Sequence, residues 1–135
     1  MATPRTILAE ALRADNPGYR VYAFPYFPAQ VGDDPVVSLW RTDLAPSPDS
    51  PNLLRHSLQI QAMVGQALEE RAEAAGDDLL DAVLLSLQRL GTVAGISAER
   101  TTFGNDERGT FQGWLIKCHS DSENVYKSTV LAERA

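Results

Sequence analysis

The sequence predicts an α+β fold: a mainly antiparallel sheet, one long amphipathic helix packed on one face, and a short N-terminal helix. Three observations carry this. Leu79, Leu80, Val83, Leu84, Leu87 and Leu90 recur as one helical stripe. It covers ~140° of the circumference, wide enough to lie on a sheet. Leu58, Ile60, Ala62 and Val64 alternate with Ser57, Gln59 and Gln61, the period of a half-buried strand. The segments read helix, two strands, loop, strand, helix, two strands, an order that suits helices layered on an antiparallel sheet. At 135 residues the chain is one domain by length. We assign 1–119 to that domain and 120–135 to a mostly polar tail, either disordered or docked on a partner.

Taken in order, Thr3 is placed to cap a helix that Pro4 begins, and Ile7, Leu8, Ala11 and Leu12 give it an apolar side. Asn16-Pro17-Gly18 stops it. Tyr19 to Tyr26 reads as an edge strand, ended by Pro25 and Pro28. Val36 to Arg41 is apolar on both faces and reads as a covered strand. Asp43 to Asn52 contains Pro46, Pro48 and Pro51, which predict neither helix nor regular strand. That segment is either a loose surface loop or an arm that orders against a neighbour. Gln66 to Ala75 has helical propensity but little apolar face, and leads past Gly76, with or without a bend, into the amphipathic helix. Asp77 and Asp78 suit that helix's N-terminus, Arg89 its last turn, and Gly91 its C′ position. Thr92 to Ile96 is an exit loop. Ser97 to Phe103 and Thr110 to Cys118 are strands joined by a polar hairpin turn at 104–109.

Charge and composition narrow the function. Eighteen acidic residues against twelve basic ones give a net charge of −6, and the two lysines, Lys117 and Lys127, form no patch. This argues against a general nucleic-acid or membrane-surface binder. No apolar run approaches the ~20 residues of a membrane helix. Met1-Ala-Thr-Pro-Arg lacks an apolar signal core, so the expectation is a protein that stays where it is made unless carried in an assembly. The single cysteine, Cys118, cannot form an internal disulfide.

Catalytic chemistry has little to stand on, and we expect neither an enzyme, a cofactor nor a metal. His56 and His119 are the only histidines. His56 could face either side of its strand. Adjacent Cys118 and His119 point to opposite faces, which suits neither a metal site nor a nucleophilic pair. Asp77, Asp78 and Asp81 are dipole partners and solvated surface rather than paired catalytic acids.

The chain does carry surplus apolar and extended material. Tyr22, Phe24, Tyr26, Phe27 and Trp40 crowd the first third, the proline segment lies outside any core, and Leu85 points ~100° off the apolar stripe. Either these are ordinary exposed residues of a monomer, or they are where a subunit completes its burial against copies of itself. The candidate interface is therefore Tyr22, Phe24, Tyr26, Phe27, Trp40, Pro46, Pro48, Pro51 and Leu85.

The layout resembles the tail terminator, or tail completion, proteins of long-tailed bacteriophages. The resembling phrases are Arg5-Thr-Ile-Leu-Ala-Glu-Ala-Leu, Val36-Val-Ser-Leu-Trp-Arg-Thr and Leu54-Arg-His-Ser-Leu-Gln-Ile-Gln-Ala-Met-Val. Asp77-Asp-Leu-Leu-Asp-Ala-Val-Leu, Arg100-Thr-Thr-Phe-Gly and Phe111-Gln-Gly-Trp-Leu-Ile complete them. The resemblance implies a virion protein forming a homohexameric ring that caps the tail tube and halts its polymerisation. The ring would dock the head-to-tail connector or neck protein, and DNA would pass its lumen without specific binding. Two alternatives stay open: a neck or tail-tube-like ring protein, and a small-molecule enzyme or ligand-binding domain on a similar α+β fold.

Overall fold

A computed structural model describes residues 3–28, 31, 34–65, 69–105 and 109–134. Helix α1 (Pro4–Asp15) begins at Thr3, whose hydroxyl accepts a hydrogen bond from the Thr6 N–H at 3.3 Å. It ends at Asn16, whose side-chain amide donates to the Leu12 carbonyl at 3.2 Å. Strand β1 (Arg20–Tyr22) follows, then β2 (Val36–Pro46), β3 (Leu53–Val64), helix α2 (Glu69–Leu90), β4 (Val93–Asn105), β5 (Gly109–Glu123) and helix α3 (Val125–Arg134). The five strands form one sheet in the order β1-β2-β3-β5-β4.

The expected class is corrected on three counts. The sheet is mixed, because β1 pairs with β2 in parallel while the other neighbours are antiparallel. It dominates the structure, at 44% strand against 36% helix among the described residues, so the protein is not organised by one long amphipathic helix. Only the later turns of α2 supply buried leucines and valine (Leu79, Val83, Leu87), whereas Glu70, Glu73, Asp77 and Asp78 are exposed. Finally, there are three helices rather than two. The parallel pair has a simple cause. Pro25 lacks a backbone N–H, β1 stops at Tyr22, and the connection to Val36 is long enough to return the chain to the starting end of the sheet.

Three local expectations also change. Asp43 to Pro46 belong to β2, against the prediction of no regular strand, and Pro46 is its last residue on the outer side of the β2–β3 pair. A register shift between Arg41 and Asp43 absorbs the irregularity. The exit loop is absorbed into β4, which starts at Val93 and carries its own register shift between Ala94 and Ser97. The segment read as a tail divides in two. Ser120 to Glu123 finish β5, and Asn124 then caps α3 by accepting the Lys127 N–H at 3.0 Å. Within the predicted first helical piece, 66–68 lie outside the described residues, as do 106–108 of the predicted hairpin turn.

Both faces of the sheet are packed. On one, α1 and α2 bury Leu8, Leu12, Leu79, Val83 and Leu87 against Val37, Leu39, Leu58, Ile60 and Ile116. On the other, Val31, Val36, Met63 and Phe103 form a smaller cluster, flanked by Tyr22, Tyr26, Phe27, Phe111 and Leu115. The alternation of β3 serves both, because Met63 points away from Ala62 and Val64. Gly113, opposite Met63, lies so close to its neighbours that a Cβ there would run into the Ala62 carbonyl and the Phe103 ring. Gly91 ends α2 as expected, with φ of +73° and its N–H donating to the Leu87 carbonyl at 3.3 Å.

These contacts separate two leucines on one helix. Leu87→Ala is expected to lower unfolding free energy by about 2–5 kcal/mol, because Leu87 is fully buried. Leu85→Ala should change it by less than about 0.5 kcal/mol, because Leu85 is 53% exposed. Gly113→Ala should cost about 1–3 kcal/mol through overpacking. Urea unfolding of the three variants measures all three values.

Candidate interaction site

The short β1 leaves a gap at the sheet edge. β1 covers only Val36 to Ser38, so from Leu39 onward β2 has no outer strand among the described residues. The N-terminal end of α1 lies near this edge. Between them is a cleft of about 300 Å³ lined by Thr3, Arg5, Pro25, Trp40, Arg41 and His56. A second hollow of about 240 Å³ shares Thr3, Arg41 and His56 and continues towards Leu54, Val125 and Tyr126 at the start of α3.

His56 is the fixed point of this region. It lies in phase with Leu58 and Ile60 on β3, is only 5% exposed, and both ring nitrogens are engaged. Arg41 Nη1 lies 3.3 Å from Nδ1. A guanidinium can only donate, so Nδ1 accepts and the proton resides on Nε2. Nε2 then donates to the Ser122 hydroxyl at 2.7 Å. Burial, with the Arg41 charge next, pushes the His56 pKa below its usual 6.5. The neutral ring holds the Arg41 head at the cleft wall. Among the described residues neither Arg5 nor Arg41 has a carboxylate partner: the ion pairs are Arg55–Asp49, Arg55–Asp121, Arg89–Asp15 and Arg100–Glu73.

The tip of the β2–β3 hairpin is tied to its own chain. Arg55 donates to Asp121 at 2.9 Å and to Asp49 at 3.1 Å, and the Ser47 hydroxyl donates to Asp121 at 2.8 Å. Hydrogen bonds from Arg55 and then Ser47 hold the Asp121 carboxyl below the usual range, and Asp121 in turn raises Arg55. The Asn124 N–H donates to the Asn52 carbonyl at 3.0 Å, joining the tip to α3. Pro48 and Pro51 are exposed on this turn, which within the chain is held by its own neighbours.

The other candidate residues divide into three groups. Tyr22, Phe24 and Tyr26 stack on one another, with ring centroids 4.2–5.9 Å apart, and only Phe24 is half exposed. Phe27 packs on Phe111 at 5.6 Å, in the second core cluster. Trp40 lines the cleft, Pro46 ends β2, and Leu85 stands alone on the outer side of α2. The structure brings Trp40 together with Arg5, Arg41 and His56, none of which the sequence had singled out as interface. The in-phase spacing of His56, Leu58 and Ile60 was the available signal for His56. No comparable signal marks the arginines.

Burial raises the Cys118 thiol to about 11, which keeps it protonated at neutral pH. Among the described residues no group of three or more His, Cys, Asp and Glu side chains is placed to hold a metal ion. Nor is any described helix long and apolar enough to cross a membrane. Compared with known proteins, the chain matches no protein-family model and no curated protein.

The depressed His56 pKa has a signed consequence. The unfolded chain takes up this proton more readily than the folded one. The stability tied to neutral His56 is therefore fully present above pH ~6.5 and lost as pH falls through the lower folded value. Thermal midpoints of the parent and His56→Gln, measured from pH 8 to pH 5, should differ by an amount that shrinks below pH ~6.5. A difference independent of pH would contradict the assignment.

Proposed function

We propose that this chain is a structural virion protein that assembles as a homohexameric ring on the head-proximal end of a phage tail tube. There the ring halts tube polymerisation and offers a docking face to the head-to-tail connector or neck protein. Its partners are copies of itself, the tube protein and the connector, and DNA passes the lumen without specific contacts. The observation that carries this reading is the set of large apolar side chains left outside a closed core. Phe24 is 50% exposed beside β1, Leu85 53% on α2, and Tyr126 and Leu131 58% on α3. Helix α3 buries none of its residues against its own domain. Apolar side chains on three separate elements suit a subunit that meets several neighbours. The resemblance in residues 5–119 supplies the particular assembly.

Imaging of tails assembled without this protein tests termination. Tubes of variable, excessive length are expected, and tubes of normal length would rule termination out. Leu85→Glu should leave the isolated domain folded and weaken ring formation, read as a shift from ring to monomer in solution mass measurements.

A further inference from the structure

We infer that the outer side of α2 from one copy seats in the Arg5–Arg41 cleft of the next, an inference that rests on the ring reading above. The two surfaces are complementary in charge and in shape of exposure. On α2, Asp78, Asp81 and Leu85 are spaced by three and four residues, so they share one helix face, and all three are exposed. Neither aspartate has a cationic partner among the described residues. This surface is an apolar knob beside two uncompensated carboxylates.

The cleft offers the converse. Arg5 and Arg41 lack carboxylate partners among the described residues, and no carboxylate is among the described residues lining the 300 Å³ cleft. Trp40 and Pro25 give it an apolar wall, and Phe24, next to Pro25 in the chain, is 50% exposed. Glu123 lines the adjoining hollow that shares Arg41, so the cationic part of this edge is the wall made by Arg5 and Arg41, and an acidic helix face is its natural counterpart. Arg41 is also held in place, because His56 accepts from its guanidinium and leaves the remaining N–H donors free. A braced cation loses less side-chain freedom on meeting a carboxylate than a loose one.

The two surfaces lie on different parts of one subunit. Helix α2 packs over β3, β5 and β4 and against α1, where Arg89 pairs with Asp15 at the C-terminal end of α1, whereas the cleft lies at the N-terminal end of α1 and the edge at β2. Joining them makes a heterologous contact, the type that closes into a ring when the rotation per subunit divides the circle. A self-complementary pair would stop at a dimer.

Charge exchange tests the contact. Solution mass would be measured by light scattering over a concentration and salt series for the full-length parent, Asp81→Arg, Arg5→Asp, and the double variant carrying both. Arg5→Asp spares the Arg41–His56 bond, and circular dichroism confirms that each variant is folded. Each single variant should raise the concentration needed for half-assembly at least tenfold, the double variant should recover most of that loss, and added salt should weaken the parent. Singles that assemble like the parent, or a double no better than the singles, overturn this contact and leave the ring standing. A parent that stays monomeric at every concentration also overturns the contact. The ring reading itself falls only if tails assembled without the protein are of normal length.

Discussion

Burial of β3 on both of its faces is the constraint on which the rest of this molecule depends. Its twelve residues pair with β2 on one side and β5 on the other, so its backbone groups are satisfied almost throughout. Its side chains then divide by parity. Leu58, Ile60 and Ala62 close the core under the two helices, and Met63 reaches the second cluster. A shift of one residue would exchange these sets, placing Gln59 and Gln61 against Leu79, Val83 and Leu87. The helix stripe and the strand alternation therefore fix each other's register, and α1 is positioned by the same surface through Leu8 and Leu12.

The price of a sheet covered on both sides is close approach, which explains Gly113. The Phe103 ring and the Ala62 carbonyl approach this position so closely that only a residue without Cβ fits there. The chain that supplies Val31, Tyr26 and Phe27 is the same connection that turns β1 back into parallel alignment. One stretch thus sets the strand direction, contributes to the second cluster and lends Pro25 to the cleft, while β1 leaves β2 without an outer strand beyond Ser38 among the described residues.

Polar groups are distributed by the same logic. Arg55, Asp121, Asp49 and Ser47 satisfy one another at the hairpin tip, and His56 is satisfied by Arg41 and Ser122. Among the described residues, no buried side-chain nitrogen or oxygen lacks a partner. The exposed charges with no ion-pair partner among the described residues include Arg5 and Arg41 at one edge and Asp78 and Asp81 on the outer side of α2. Such exposed charges contribute little to folding, and their placement matters for what the subunit meets.

By itself the sequence determined the elements that burial dictates locally. The alternation over Leu58 to Val64, the leucine stripe from Leu79 to Leu90, the Thr3 cap and the Gly91 stop are all short-range patterns, read from neighbouring residues. It also marked Leu85 as a leucine outside its stripe. It did not determine that β1 runs parallel to β2, because strand direction depends on how a connection returns, and nothing local encodes that. Nor could it show that Asp43 to Pro46 continue β2, since pairing with Arg55 and Leu54 outweighs the poor strand propensity of the segment. The cleft was likewise invisible. Thr3, Arg5, Arg41 and His56 come from three separate elements, and only tertiary packing sets two arginines beside one buried, neutral histidine.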